Sequence, residues 1–177
     1  APYAFLIHEI IEQMLSVKVG QIIYGRLEKL CNGSITPETI MELSDEEIRS
    51  IGTANSKVNF IRSVTNAVIS RELDFSQLNS LSDSEAMSRL MSIRGIGIWT
   101  SKMYLMFVMD RPNILPVEDV AFLQAYQWLY KTDDRNKDSV INRCKKWSPY
   151  STTASRYLYR ALDMGFTKNE FHLYKED

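Results

Sequence analysis

The sequence predicts an all-α fold. Apolar residues recur at helical spacing through most of its 177 residues, and serine, threonine and proline interrupt them in helix-starting patterns. No alternating strand pattern of convincing length occurs, and neither internal repeats nor low-complexity tracts are present. About ten helices are expected.

Taken in order, Phe5, Leu6, Ile10, Ile11, Met14 and Leu15 form a helical stripe over residues 3–15. Ser16 can cap a second helix to Leu30, and Asn32-Gly33 ends it. Thr36-Pro37 is an N-cap followed by proline at the first helical position, and Ser44 with Glu47 forms a capping box, so two short helices follow. Asn55 opens a longer helix over residues 56–70, with Val58, Ile61, Val64, Thr65 and Val68 inside. Ser82 and Glu85 form another capping box at the head of a helix carrying Ala86, Leu90 and Met91. Residues 99–108 are too apolar for a hairpin strand and read as a buried helix. Asp119 caps a helix with Val120, Phe122, Leu123 and Tyr126. Residues 131–137 form a polar loop, and helices over 138–146 and 149–162 follow. Thr167 with Glu170 can cap a short tail helix.

Composition narrows the function. With 45% hydrophobic and 24% charged residues the chain can bury one good core or two small lobes. No apolar run approaches the roughly 20 residues of a membrane span, and no signal peptide is evident, so a cytoplasmic protein, nuclear in a eukaryote, is expected. The two cysteines, Cys31 and Cys144, have neither zinc-site nor cluster spacing and read as free, partly buried thiols. A net charge of −1 argues against holding nucleic acid by bulk electrostatics, so any such binding rests on local features and a few cations such as Arg94, Lys102, Lys145, Lys146 and Arg156.

The most informative stretch runs from Leu90 to Tyr130. Gly95 and Gly97 interrupt two helical patterns, and the following helix points its N-terminus back at that turn. A glycine turn beside a helix N-terminus presents backbone N–H groups, and its natural ligand is a phosphate. A bare connector is the simpler reading of a lone GxG, but more matches. Leu90, Ile93, Arg94-Gly95-Ile96-Gly97, Trp99, Thr100 and Ser101, then Leu115-Pro116 and Glu118-Asp119, resemble the signature of the helix-hairpin-helix (HhH-GPD) DNA glycosylase superfamily. Trp99 precedes Asp119 by 20 residues, the spacing of its 3-methyladenine DNA glycosylase II branch. Gln13-Met14-Leu15-Ser16, Thr36-Pro37-Glu38 and Trp147-Ser148-Pro149-Tyr150 resemble further family elements, so the likeness covers most of the chain. Arg94 departs from the family's usual proline, and relatives run through an earlier helix before the point where Ala1 begins.

The resemblance implies one glycosylase domain over 1–177, with a helical lobe at about 35–130, a second lobe from the N-terminal helices plus about 131–177, and the active-site cleft between them. It implies base-excision repair in which a monofunctional hydrolase flips and releases alkylated purines such as 3-methyladenine from duplex DNA. Asp119 is the expected catalytic carboxylate, its capping and catalytic roles coinciding. Trp99 stands where bifunctional relatives place a Schiff-base lysine, which implies no lyase step. Trp99, Met103, Tyr104, Tyr150 and Trp147 are expected to line the base pocket, though core packing is the competing role for each aromatic. Arg94, Gly95, Ile96, Gly97 and Thr100 are expected on DNA phosphate, and Gln13 and Met14 as the wedge that fills the gap left by the flipped base. Carbonyls of Met91, Ile93 and Ile96 can hold a structural Na or K ion. No cofactor is required, and the expected partner is damaged double-stranded DNA, bound by a monomer. The alternatives are a catalytically inactive helix-hairpin-helix DNA-binding module and a glycosylase for uracil, a mismatch or an oxidised purine.

Overall fold

The computed structural model describes residues 1–171. Among them the chain is all-helical, as expected, with eleven α-helices, two 3₁₀ turns and no strand. It divides between Met109 and Asp110 into two compact units. These units do not coincide with the expected lobes. The first helix packs on three other helices of the first unit, so the N-terminal segment belongs with the hairpin helices.

In the first unit, α1 (Pro2–Glu12) has Leu6, Ile7, Ile10 and Ile11 wholly buried. It packs on α2 (Val17–Leu30), α5 (Asn55–Ile69) and α8 (Ile98–Phe107). Two short helices, α3 (Pro37–Glu42) and α4 (Asp45–Ser50), lie on α5. The predicted capping box at Ser44 and Glu47 is formed, and Thr36 forms a second one with Thr39. Arg62 ties this corner together. Its guanidinium donates to Asp45 Oδ1 at 2.7 Å and to the carbonyls of Ile40 and Leu43. A one-turn helix missed in the sequence, α6 (Phe75–Leu78), is capped by Asp74. Ser82 and Glu85 form the expected box on α7 (Asp83–Met91).

In the second unit, α9 (Val120–Tyr130) packs along α11 (Ser151–Asp163), with α10 (Lys137–Cys144) beside them. Val117, Phe122, Ala125, Tyr126, Val140, Cys144 and Leu158 form the core of this unit. Both cysteines are free and buried, and burial pushes the Cys144 thiol up to about 11. The expected tail helix does not start at Thr167, which lies in a 3₁₀ turn, Phe166–Lys168; residues 169–171 are not helical, and Glu170 accepts from Lys131 at 2.7 Å instead of capping. No helix among the described residues is long and apolar enough to cross a membrane.

Candidate active site and nucleic-acid interface

The hairpin joins α7 to α8 through residues 92–97. Ser92 ends α7, the Ile93 N–H bonds back to the Leu90 carbonyl, and the Ile96 N–H bonds to the Ile93 carbonyl at 3.1 Å. Gly95 makes this turn with φ +99°, in the region that side chains disfavour. It also lies hard against α5: a Cβ there would sit 2.4 Å from the Cβ of Phe60. Gly97, at an ordinary φ, serves as the N-cap of α8, and its Cβ would meet nothing. Because no side chain caps α8, its first-turn amides keep the N-terminal dipole directed outward. Arg94 is exposed on the turn, while Ile96 is buried and anchors it.

Two expectations for the hairpin are corrected. The Thr100 side chain is 1% exposed, and its hydroxyl accepts the Gln13 amide at 3.2 Å, so it does not reach outward to a phosphate. The Ile96 N–H is used inside the turn. The carbonyl of Ile93 accepts that N–H and keeps its second lone pair, which is what a monovalent cation would use.

The wedge pair divides in two. Helix α1 stops at Glu12, three residues before the end predicted from its apolar stripe. Gln13 leaves the helix and donates its amide to the Gly95 carbonyl at 3.0 Å as well as to Thr100. Met14, with φ +62°, is fully exposed. Gln13 is thus a strut fastened to the hairpin, and Met14 is the part that projects. Lys57, which the sequence gave no reason to single out, completes the fastening. Its ammonium donates to the carbonyls of Ile11 and Gln13, both at 2.5 Å, and burial pushes its pKa down.

The aromatics divide as well. Trp99 is half-buried in the first turn of α8 and Tyr150 is 66% exposed at the start of α11. Met103 and Tyr104 are core residues instead, the Tyr104 ring lying against Phe5 and Phe75. The cause is that α8 is apolar on nearly every face, so its later turns are enclosed. Trp147 stacks on Tyr130 at 6.3 Å and meets Phe122 edge-on, which makes it part of the second unit's core.

Asp119 caps α9 as predicted. Its Oδ2 accepts the Phe122 N–H at 2.9 Å and the Tyr159 hydroxyl at 2.8 Å. Glu118, its neighbour, faces Lys137 at 3.9 Å. The loop leading to Asp119 is lashed to the head of α11. Thr152 Oγ1 donates to the Arg111 carbonyl and accepts the Ile114 N–H, and Ser151 Oγ donates to Asn113 Oδ1 at 2.8 Å. Arg156, expected among the outward cations, donates to Asp110 at 2.8 Å.

His8, Glu9 and Glu12 gather ligand-type atoms within 4.8 Å of one another. Both imidazole nitrogens are already used, Nδ1 on Glu9 at 3.2 Å and Nε2 on Glu12 at 3.3 Å. The hydrogen bond to Glu9 and the charge of Glu12 raise the His8 pKa against its burial.

These features meet the comparison with known proteins. Residues 7–149 match the model of the HhH-GPD superfamily base excision DNA repair proteins. The chain belongs to this superfamily. A DNA-3-methyladenine glycosidase from Bacillus halodurans is similar in structure, with a TM-score of 0.83 and 37% identity over 96% of this chain and 78% of that one. So is the Schizosaccharomyces pombe 3-methyladenine DNA glycosylase in complex with abasic DNA, with a TM-score of 0.84 and 28% identity over 92% of this chain and 81% of that one. YfjP of Bacillus subtilis is 34% identical over 128 residues, which are 72% of this chain and 45% of YfjP. The chain therefore spans less than half the length of that relative.

The HhH-GPD hairpin yields a direct test. Gly95→Ala places a Cβ against Phe60 at positive φ and should cost more than about 2 kcal/mol of stability. Gly97→Ala meets open space and should cost less than about 1 kcal/mol. Urea unfolding of the two variants checks the difference, and equal losses would contradict the close approach at Gly95.

Proposed function

We propose that this chain is a monofunctional DNA glycosylase that releases alkylated purines such as 3-methyladenine from duplex DNA. The observation that carries the reading is the Asp119 carboxylate, held by two donors at the start of α9 in a chain of the HhH-GPD superfamily. The names of the similar glycosylases from Bacillus halodurans and Schizosaccharomyces pombe support the substrate class.

In the reaction, the bond from sugar C1′ to the purine breaks with its electron pair leaving on the base. Positive charge develops on the sugar, and a fixed carboxylate stabilises it. Water then attacks C1′, and its proton passes to Asp119 or to solvent, which leaves an abasic site and the free base. Trp99 offers the aromatic face on which an extruded, electron-poor alkylated base stacks, gaining a cation–π term of about 0.5–2 kcal/mol over a neutral one.

The hairpin amides and Arg94 hold backbone phosphate, and Met14 enters the stack where the base has left. A Na or K ion on the carbonyls of Met91, Ile93 and Ile96 would be structural, and the reaction calls for no cofactor. The protein acts as a monomer on damaged double-stranded DNA, in the cytoplasm or in the nucleus of a eukaryote. With net charge −1, its grip on undamaged DNA is weak and strongly salt-sensitive.

Asp119→Asn removes the charge and keeps the shape. It should bind a damaged duplex as the parent does while base release falls about 100-fold or more. Excision near the parent rate would remove Asp119 from the chemistry.

A lyase step needs an amine that attacks C1′, and the Trp99 indole has no nucleophilic nitrogen. Incubation with an alkylated duplex should therefore leave intact strands with alkali-labile abasic sites, and borohydride added during turnover should trap no protein–DNA adduct. A trapped adduct would refute the monofunctional reading and turn attention to Lys102.

A further inference from the structure

Asp119 is held more tightly than a helix cap requires. The Phe122 N–H that it accepts is the ordinary capping bond within its own first turn. The second donor comes from another helix, 40 residues along the chain: the hydroxyl of Tyr159, at 2.8 Å and on the same oxygen. Two neighbouring tyrosines on α11 have opposite fates. Tyr157 is 74% exposed, whereas Tyr159 is half-buried against the core that contains Phe122 and Leu158. Packing accounts for the ring of Tyr159, and a phenylalanine would serve as well. It does not account for a hydroxyl aimed at a carboxylate.

We infer that Tyr159 is a positioning residue for base excision, its hydroxyl fixing the Asp119 carboxylate in the orientation that the reaction needs. The inference rests on Asp119 being the catalytic carboxylate. With one donor a carboxylate pivots about the bond it accepts. A second donor arriving on the same oxygen from a different helix fixes its plane. The anchor is itself tied down, because α11 is joined at its head to the loop that leads into Asp119. Thr152 accepts the Ile114 N–H and donates to the Arg111 carbonyl, the Thr152 N–H bonds to the Pro112 carbonyl at 2.9 Å, and Ser151 holds Asn113. Asp119 thus sits between two ties to one helix, the loop lashing on its N-terminal side and Tyr159 directly. A carboxylate that need not reorganise as charge develops stabilises that charge most.

The test is a cycle of Tyr159→Phe, Asp119→Asn and the double variant, in the full chain. The rate of base release from an alkylated duplex is read in single turnover over hours with protein in excess, beside affinity for an abasic-site duplex and the thermal midpoint. Tyr159→Phe should lower the release rate about tenfold while abasic-duplex affinity stays within about twofold. In the Asp119→Asn background the same change should lower the residual rate by less than about twofold, because the hydroxyl then has no charged carboxylate to hold. A parent-like rate for Tyr159→Phe overturns the inference, and so does an equal loss in both backgrounds, which would mark a purely structural role. Asp119→Asn at the parent rate would instead overturn the catalytic reading on which the inference rests.

Discussion

The close approach of the hairpin to α5 is the constraint on which the first unit depends. At Gly95 the backbone lies where a Cβ would be 2.4 Å from that of Phe60, so the turn rests directly on the Phe60 side chain of α5. That contact sets the height of the Gly95 carbonyl, and the carbonyl in turn receives the Gln13 amide. The end of α1 is therefore measured from the hairpin. Lys57, in the first turn of α5, grips the same end through two carbonyls. Met14 projects from a turn fastened on both sides, and α8 starts from a turn that cannot shift without moving Phe60.

The second unit applies the same logic to a carboxylate. A loop between two helices is ordinarily the more mobile part of a fold. Here its backbone groups bond to Thr152, its Asn113 side chain accepts from Ser151, and the acid at its end is held from α9 and α11. Several of the chain's cations are likewise committed to structure. Arg26 donates to the Ile51 carbonyl, Arg62 to the α3–α4 corner, Arg156 to Asp110, and Lys57 to α1. With a net charge of −1, the proposed DNA binding would rest on backbone dipoles and a few side chains such as Arg94.

What could be read from the sequence follows from how local each feature is. Capping boxes span three residues, so Ser44 with Glu47 and Ser82 with Glu85 were legible, and so was Asp119 as a cap. The family motif placed the glycine turn and its helix. Long-range contacts were not legible. The apolar stripe of α1 runs on to Leu15, but the helix ends at Glu12, the Gln13 side chain bonds to the distant Gly95 carbonyl, and Met14 is exposed. Spacing cannot separate a ring that faces a ligand from one in a core, so Tyr104 and Trp147 looked like Trp99 until Phe75 and Tyr130 were seen beside them. Tyr159 and Lys57 act on partners 40 and 44 residues away, and no local pattern marks either one.

The proposed activity is hydrolytic base excision and not DNA binding alone. Mass spectrometry of the small molecules released from a duplex carrying 3-methyladenine, with the unaltered protein in excess, tests it most directly. Free 3-methyladenine appearing in step with abasic sites in an otherwise intact strand is the predicted result. A duplex that is bound but releases no base would contradict the account.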